Sequence, residues 1–212
     1  MKNNRQCKAL LRWFMMTLLL LPVSSLPVSA QKKKSADTEK LGKALDYFTS
    51  GMYHESLLLF TALDKEYTLN ARFHAFMGLC YYYEWDYQHA CTYLDEAIPK
   101  IESLAPHERS IYYFVNAESH FNLEQYAEAI PFYEQHIMVC YPNEKADSFY
   151  RIGFCYMFHE EWANACENFE SALSYYTQHP EVKSARSRIA QLKTMIEGCR
   201  EKLQEQQDSL HI

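Results

Sequence analysis

Glycine and proline are scarce in this sequence, at 5 and 7 of 212 residues. Tight hairpin turns depend on Gly, Asn and Asp at fixed positions, so a meander of many short strands is excluded. There is no glycine-rich loop to cradle a phosphate and no Gly-x-Ser-x-Gly elbow to present a nucleophile. Basic charge is also short. Four of the 21 Lys and Arg and none of the 27 Asp and Glu fall in residues 1–30, which leaves 17 bases against 27 acids and a net charge of −10 for the rest. Nucleic-acid binding needs clustered Lys and Arg, so that class of partner is excluded. The nine histidines (54, 74, 89, 107, 120, 136, 159, 179 and 211) are scattered, with no close ligand pair. Neither metal nor cofactor is expected. Acid pairs such as Glu160-Glu161 read as solvated charge at a turn, and nothing argues for an enzyme.

What the chain has is large side chains. Aromatics make up 15%, chiefly 17 Tyr and 12 Phe, and with few turn-formers they suggest long helices. The N-terminus sets the expected compartment. Lys2, Arg5, Lys8 and Arg12 precede an apolar run from Trp13 to Leu21, Pro22 and Pro27 follow, and Val28-Ser29-Ala30 offers a small-residue cut before Gln31. This is the layout of a secretory signal over 1–30, giving a periplasmic or extracellular protein. The alternative is an inner-membrane anchor over residues 13–30, diluted by Thr17, three serines and two prolines. Lys32-Lys33-Lys34 directly after the cut keep that alternative open.

Internal spacing carries the fold. Ala71, Gly78, Cys80, Tyr81, Ala90, Cys91 and Ala97 recur 75 residues later as Ala146, Gly153, Cys155, Tyr156, Ala165, Cys166 and Ala172. Within each copy, Gly-x-x-Tyr is followed by Ala, a bulky residue (Leu94 or Phe169) and a second Ala. Small residues at Gly78 and Ala90 would let two helices cross closely, with Tyr81 and Leu94 filling the wider gap one turn on. Two fainter copies share the register. One has Tyr113, Ala117, His120, Ala129 and Tyr133, with His136 where a small residue is expected and Pro131 predicting a kink. The other has Ala44, Tyr47, Ser56 and Phe60, with Leu63 in the second alanine slot. The surplus residues between copies are assigned to surface turns around Ala105–Arg109 and Glu144-Lys145.

These motifs resemble the tetratricopeptide repeat family, as an exported bacterial member. The resemblance covers repeats 37–70, 71–104, 110–143 and 146–179, after a flexible segment 31–36. It implies an all-α solenoid, a right-handed superhelix of antiparallel helix pairs. Beyond it, Val182, Ala185, Ile189, Leu192, Ile196, Cys199 and Leu203 form one apolar stripe. A long helix over 180–206 is therefore expected to cap the open end, or to mediate self-association, before a disordered tail 207–212.

The resemblance also implies that the first helices line a concave, partner-binding groove. Its residues map to Leu41, Leu45 and Phe48, then to Arg72, Ala75, Leu79, Tyr82 and Tyr83. The third repeat supplies Ile111, Phe114, Glu118, Phe121 and Asn122, and the fourth Asp147, Tyr150, Phe154, Met157 and Phe158. The basic clamp that some members use on a peptide carboxylate is missing, Arg72 being the only base. An aromatic groove of about ten groups, each worth roughly 1.5–3 kcal/mol when buried, calls for a cover. The expected function is a non-enzymatic scaffold or assembly adaptor of the cell envelope. It would bury a partner's apolar segment, oriented by Arg72, Glu118 and Asp147. The alternative is a structural envelope component that self-associates through the C-terminal helix or the groove. Two readings of Cys80, Cys91, Cys155 and Cys166 stand: disulfides within each hairpin, allowed in an exported protein, or small core residues.

Overall fold

The structure, a computed structural model, describes residues 28–210, with side chains over 33–209. The segment 1–27, with the apolar run of the expected signal or anchor, lies outside the described residues. Two units are distinguished, one ending at Gly42 and the other running from Lys43 to the C-terminus. Among the described residues there are nine α-helices and no strand. They are α1 Val28–Thr49, α2 Tyr53–Tyr67, α3 Ala71–Tyr83, α4 Tyr87–Ala97, α5 Pro106–Asn122, α6 Tyr126–Val139, α7 Lys145–Phe158, α8 Trp162–Gln178 and α9 Ala185–Leu210. Short 3-10 turns, Ile98–Lys100 and Pro142–Glu144, follow α4 and α6. Residues 31–36, expected to be flexible, are helical within α1. At the other end α9 starts at Ala185, later than expected, and runs to Leu210 in the expected tail.

The repeat register is written into the backbone. Each first helix ends in one residue of left-handed conformation: Gly51 (φ 75°), Trp85 (64°), Glu124 (60°) and Glu160 (59°). The carbonyls of Tyr47, Tyr81, His120 and Tyr156 accept from the amides of Met52, Asp86, Gln125 and Glu161, each at 2.9 Å. Only the first of these turns uses glycine, so three carry a steric cost that ordinary side chains rarely meet. Two helix starts are capped by side chains: Asn70 accepts from the Arg72 amide at 3.0 Å, and Asp86 from that of His89 at 3.2 Å.

Close crossing explains the two signature glycines. A Cβ added at Gly78 would lie 2.6 Å from Leu94 Cγ, and one at Gly153 would lie 2.5 Å from the Phe169 ring. Leu94 and Phe169 are fully buried. The bulky residue therefore seats directly on the glycine rather than one turn beyond it. From α2 to α9 each helix then packs on the next. The surplus of the third repeat does not lengthen a loop at Ala105–Arg109. Proline at the first helical position starts α5 at Pro106, and the extra residues become an added N-terminal turn. Helix α6 runs through the exposed Pro131 without interruption.

His136 occupies a slot that is Ala97 and Ala172 in the neighbouring repeats. It is buried, with Nδ1 2.7 Å from Ser148 Oγ. Ser148 itself stands where the second repeat has Phe73, so a large residue facing a small one restores the fit and adds a hydrogen bond. At the C-terminal end, α9 lays Ala185, Leu192, Ile196 and Cys199 into a buried cluster with Phe169, Ala172 and Tyr176 of α8. Arg200 reaches back to Glu170 at 2.5 Å. The stripe that could have joined two copies is spent covering the last repeat. Among the described residues, no helix is long and apolar enough to cross a membrane.

Candidate functional site

The end of α1 and the first helices α3, α5 and α7 carry the expected stripe, and packing sorts its residues by exposure. Leu79, Glu118 and Tyr150 are buried. Leu45, Phe48, Tyr82, Phe114, Phe121, Asp147, Phe154 and Met157 are half-buried, while Arg72, Tyr83 and Phe158 are exposed. The aromatic rings largely contact one another. Tyr53 stacks on Tyr83 with centroids 4.1 Å apart, and Phe48 lies 4.7 Å from Phe76. A second group joins Tyr126 to Phe158 at 4.7 Å, Phe158 to Phe154 at 6.0 Å, and Phe154 to Tyr150 at 4.8 Å. Tyr150 leaves the stripe altogether. The Arg188 guanidinium of α9 lies 4.1 Å over its ring and donates to its hydroxyl at 2.5 Å. An uncovered groove of about ten apolar groups is therefore too large an expectation, because most of that surface is already buried within the chain.

An ion pair sits between the two aromatic groups. Arg151 grips Glu118 with both ends of its fork, Nε to Oε1 and a terminal nitrogen to Oε2, each at 2.7 Å. Tyr133 donates to Glu118 Oε1 at 2.5 Å, and the guanidinium lies 4.6 Å over Phe121. Burial, then the nearby Glu118 charge, pushes the Tyr82 hydroxyl up to about 12. Arg72 is thus not the only base here. Arg151 was legible in principle, lying three residues before Phe154 and four after Asp147 on the same helical face. The polar groups expected to orient a partner already have internal partners. Glu118 is held as described, Asp147 accepts from Tyr176, and Arg72 binds Glu108 at 2.7 Å.

Two cavities bear on function. One of about 230 Å³ opens on the stripe and is lined by Tyr83, Ser110, Ile111, Phe114, Val115, His136, Glu144 and Asp147. The other, about 540 Å³, lies between α4 and α6 beside Ile98, Tyr113, His120 and Phe132, with Asp95, Glu102 and Glu128 around it. There His120 binds Asp95 at 3.2 Å and Gln125 at 2.7 Å. Burial opposes its charge, yet Asp95, Cys91 and Gln125 outweigh burial and lift its pKa to about 10.

All six cysteines of the described residues are buried free thiols. The repeated pairs do not face each other. Cys80 points back towards Ser56 of α2 and Cys91 forward towards His120 of α5. Cys155 packs with Ala117, Ala129 and Tyr133, whereas Cys166 lies near Cys199 of α9. Equal height along a hairpin does not imply a shared direction, and the slots serve opposite interfaces. A spacing that a search for histidine pairs misses is His136-x-x-x-Cys140-x-x-x-Glu144. These three bring ligand atoms within 4.8 Å of one another.

Helix pairs of this repeat length, joined by a recurring left-handed turn and each packed on the next, define a tetratricopeptide-like α-solenoid. Solved structures agree on that fold. The chain is similar to the crystal structure of MamA protein, with a TM-score of 0.57 and 16% identity over 79% of this chain and 88% of that one. It is similar to YrrB, described as a TPR protein with an unusual peptide-binding site, with a TM-score of 0.59 and 21% identity over 73% and 74% of the two chains. A third likeness is to TPR-like repeats of a putative kinesin light chain from Podospora anserina, with a TM-score of 0.54 and 14% identity over 82% and 89%. No protein-family model and no curated protein matches the chain.

Proposed function

We propose that this protein is a non-enzymatic scaffold of the cell envelope that holds a partner polypeptide on the stripe of α3, α5 and α7. The observation that carries the reading is the cavity of about 230 Å³ on that stripe, between Ile111, Phe114 and Val115 and beside the exposed Tyr83. It is smaller than the roughly 300–1,000 Å³ typical of small-molecule sites, and suits one apolar anchor side chain of a peptide or helix. Tyr83 at the cavity, with 45% exposure, and Phe158 further along the stripe, with 49%, add apolar contact. The peptide-binding site of YrrB supports the same use of the fold. The signal-like N-terminus supports export; the apolar run is too broken for a strong membrane span.

The test compares co-precipitation from envelope fractions by the wild-type chain, a Tyr83→Ser/Phe158→Ser variant and a Met138→Ser control. Met138 is 81% exposed and does not line that cavity. The double variant is expected to lose proteins that both other baits retain. Equal recovery by all three would rule out the stripe as the binding surface.

A further inference from the structure

The third repeat carries a group of side chains that its neighbours lack. His136 replaces Ala97 and Ala172, and Cys140 replaces Ile101 and Tyr176 at the corresponding positions. With Glu144 they offer one imidazole nitrogen, one sulfur and one carboxylate oxygen, all within 4.8 Å of one another. A fourth donor stands beside them. His107 Nδ1 lies 3.9 Å from Glu144 Oε2, beyond hydrogen-bond reach, and is a buried nitrogen with no partner. Burying such an atom without a hydrogen bond is unfavourable, so its position calls for a reason. The repeat pattern supplies none.

We propose that His107, His136, Cys140 and Glu144 form a binding site for one divalent transition-metal ion of the zinc type. The donor set decides the class. Two imidazoles, a thiolate and a carboxylate are ligands for zinc and its borderline neighbours, whereas magnesium and calcium take all-oxygen sites. Tetrahedral bonds of roughly 2.0–2.3 Å place ligand atoms about 3.3–3.8 Å apart. Closing the spread of His136, Cys140 and Glu144 requires side-chain shifts of about 1 Å, with the His107 ring moving in from its place beside Glu144. The local backbone permits it, because Cys140 sits in extended conformation just after α6 and Glu144 ends a short 3-10 turn.

The supporting contacts are also those of a metal site. Ser148 Oγ engages His136 Nδ1 at 2.7 Å, which orients the ring and leaves Nε2 for the ion. The Tyr141 amide donates to Glu144 Oε2 at 2.9 Å, and the Tyr141 ring lies 4.2 Å from that of His107. His136 and Glu144 both line the cavity of about 230 Å³, which provides an entry path. Binding of the ion would displace the thiol proton of Cys140 to solvent and tie the end of α6 and the turn before α7 to the start of α5, bracing the third repeat. The site needs no partner polypeptide, so it stands or falls apart from the scaffold reading.

The experiment uses the full chain, reduced and stripped with a chelator, titrated with cobalt(II) and then with zinc(II). One equivalent of cobalt is expected to bind with a thiolate-to-metal charge-transfer band, and zinc to displace it while excess magnesium does not. Cys140→Ser is expected to abolish the band, and His107→Ala to weaken affinity by more than the ~10–100-fold that loss of an outer-shell group costs. Ser148→Ala should fall within that range. Cys199→Ser, which changes a buried cysteine outside the site, should match wild type. His136 is packed in the core, so the exposed edge of His107 and the thiol change at Cys140 keep the test independent of misfolding, which far-UV circular dichroism checks. A charge-transfer band that persists in Cys140→Ser, or binding well below one equivalent in the wild type, would overturn the proposal.

Discussion

Removing the guanidinium of Arg151 tests whether the Glu118–Arg151 pair holds the stripe together. In Arg151→Met, Glu118 remains with its side chain only 7% exposed and keeps a single hydrogen bond, from Tyr133. Losing one partner of a buried pair costs about 3–5 kcal/mol, because the other charge is left uncompensated. The surviving Tyr133 bond puts the expected loss near 3 kcal/mol at pH 7. Glu118→Gln is the informative contrast. Arg151 is 32% exposed and can turn towards water, and glutamine still accepts from Tyr133, so this loss is expected near 1 kcal/mol. The two halves of one ion pair should therefore differ by about 2 kcal/mol, in the order set by their burial. Urea titrations of wild type and both variants at pH 7, followed by circular dichroism and fluorescence, read this directly. Equal losses in the two variants would refute the reasoning.

The turns and the second cavity give further outcomes. Glu160→Gly relieves a left-handed residue at φ 59° and is expected to stabilise the chain by up to ~1 kcal/mol, while Gly51→Ala at φ 75° loses a similar amount; urea midpoints compare both with wild type. His120 should make stability pH-dependent in the opposite window from an acid. Its folded pKa of about 10 exceeds the unfolded ~6.5, so its contribution is complete below about 6.5 and is lost as pH rises towards 10. Asp95 is 46% exposed, and screening reduces the contribution to about 1 kcal/mol. Thermal melts at pH 6.5 and 8.5 should show this drop in wild type and a smaller one in Asp95→Asn. Identical slopes in the two proteins would contradict the assignment.

The repeat architecture was legible because it depends on where small and large residues recur. Gly78 and Gly153 mark helix crossings in any tertiary context, since no Cβ fits beneath Leu94 or Phe169. The stripe of α9 was equally plain from its spacing by threes and fours. Less of the site could be read. The left-handed turns at Trp85, Glu124 and Glu160 carry no glycine and so no local signal. His136 looked like a fault in the third repeat until Ser148 supplied its complement from the next one.

By itself the sequence determined the helix pairs, their register and which helices come first in each pair, because those properties are local and periodic. Only the tertiary structure decided direction and distance between elements. It turned Cys80 and Cys91 to opposite interfaces, gave Tyr150 to Arg188 and paired Arg151 with Glu118. It also gathered His107, 29 residues before His136 in the chain, to the edge of the group formed by His136, Cys140 and Glu144. The physical reason is that periodicity names the face of a helix a residue occupies, whereas its partner depends on how the neighbouring helices cross. An aromatic stripe read from spacing alone therefore overstates the open surface, and packing fixes how much of it remains for a partner.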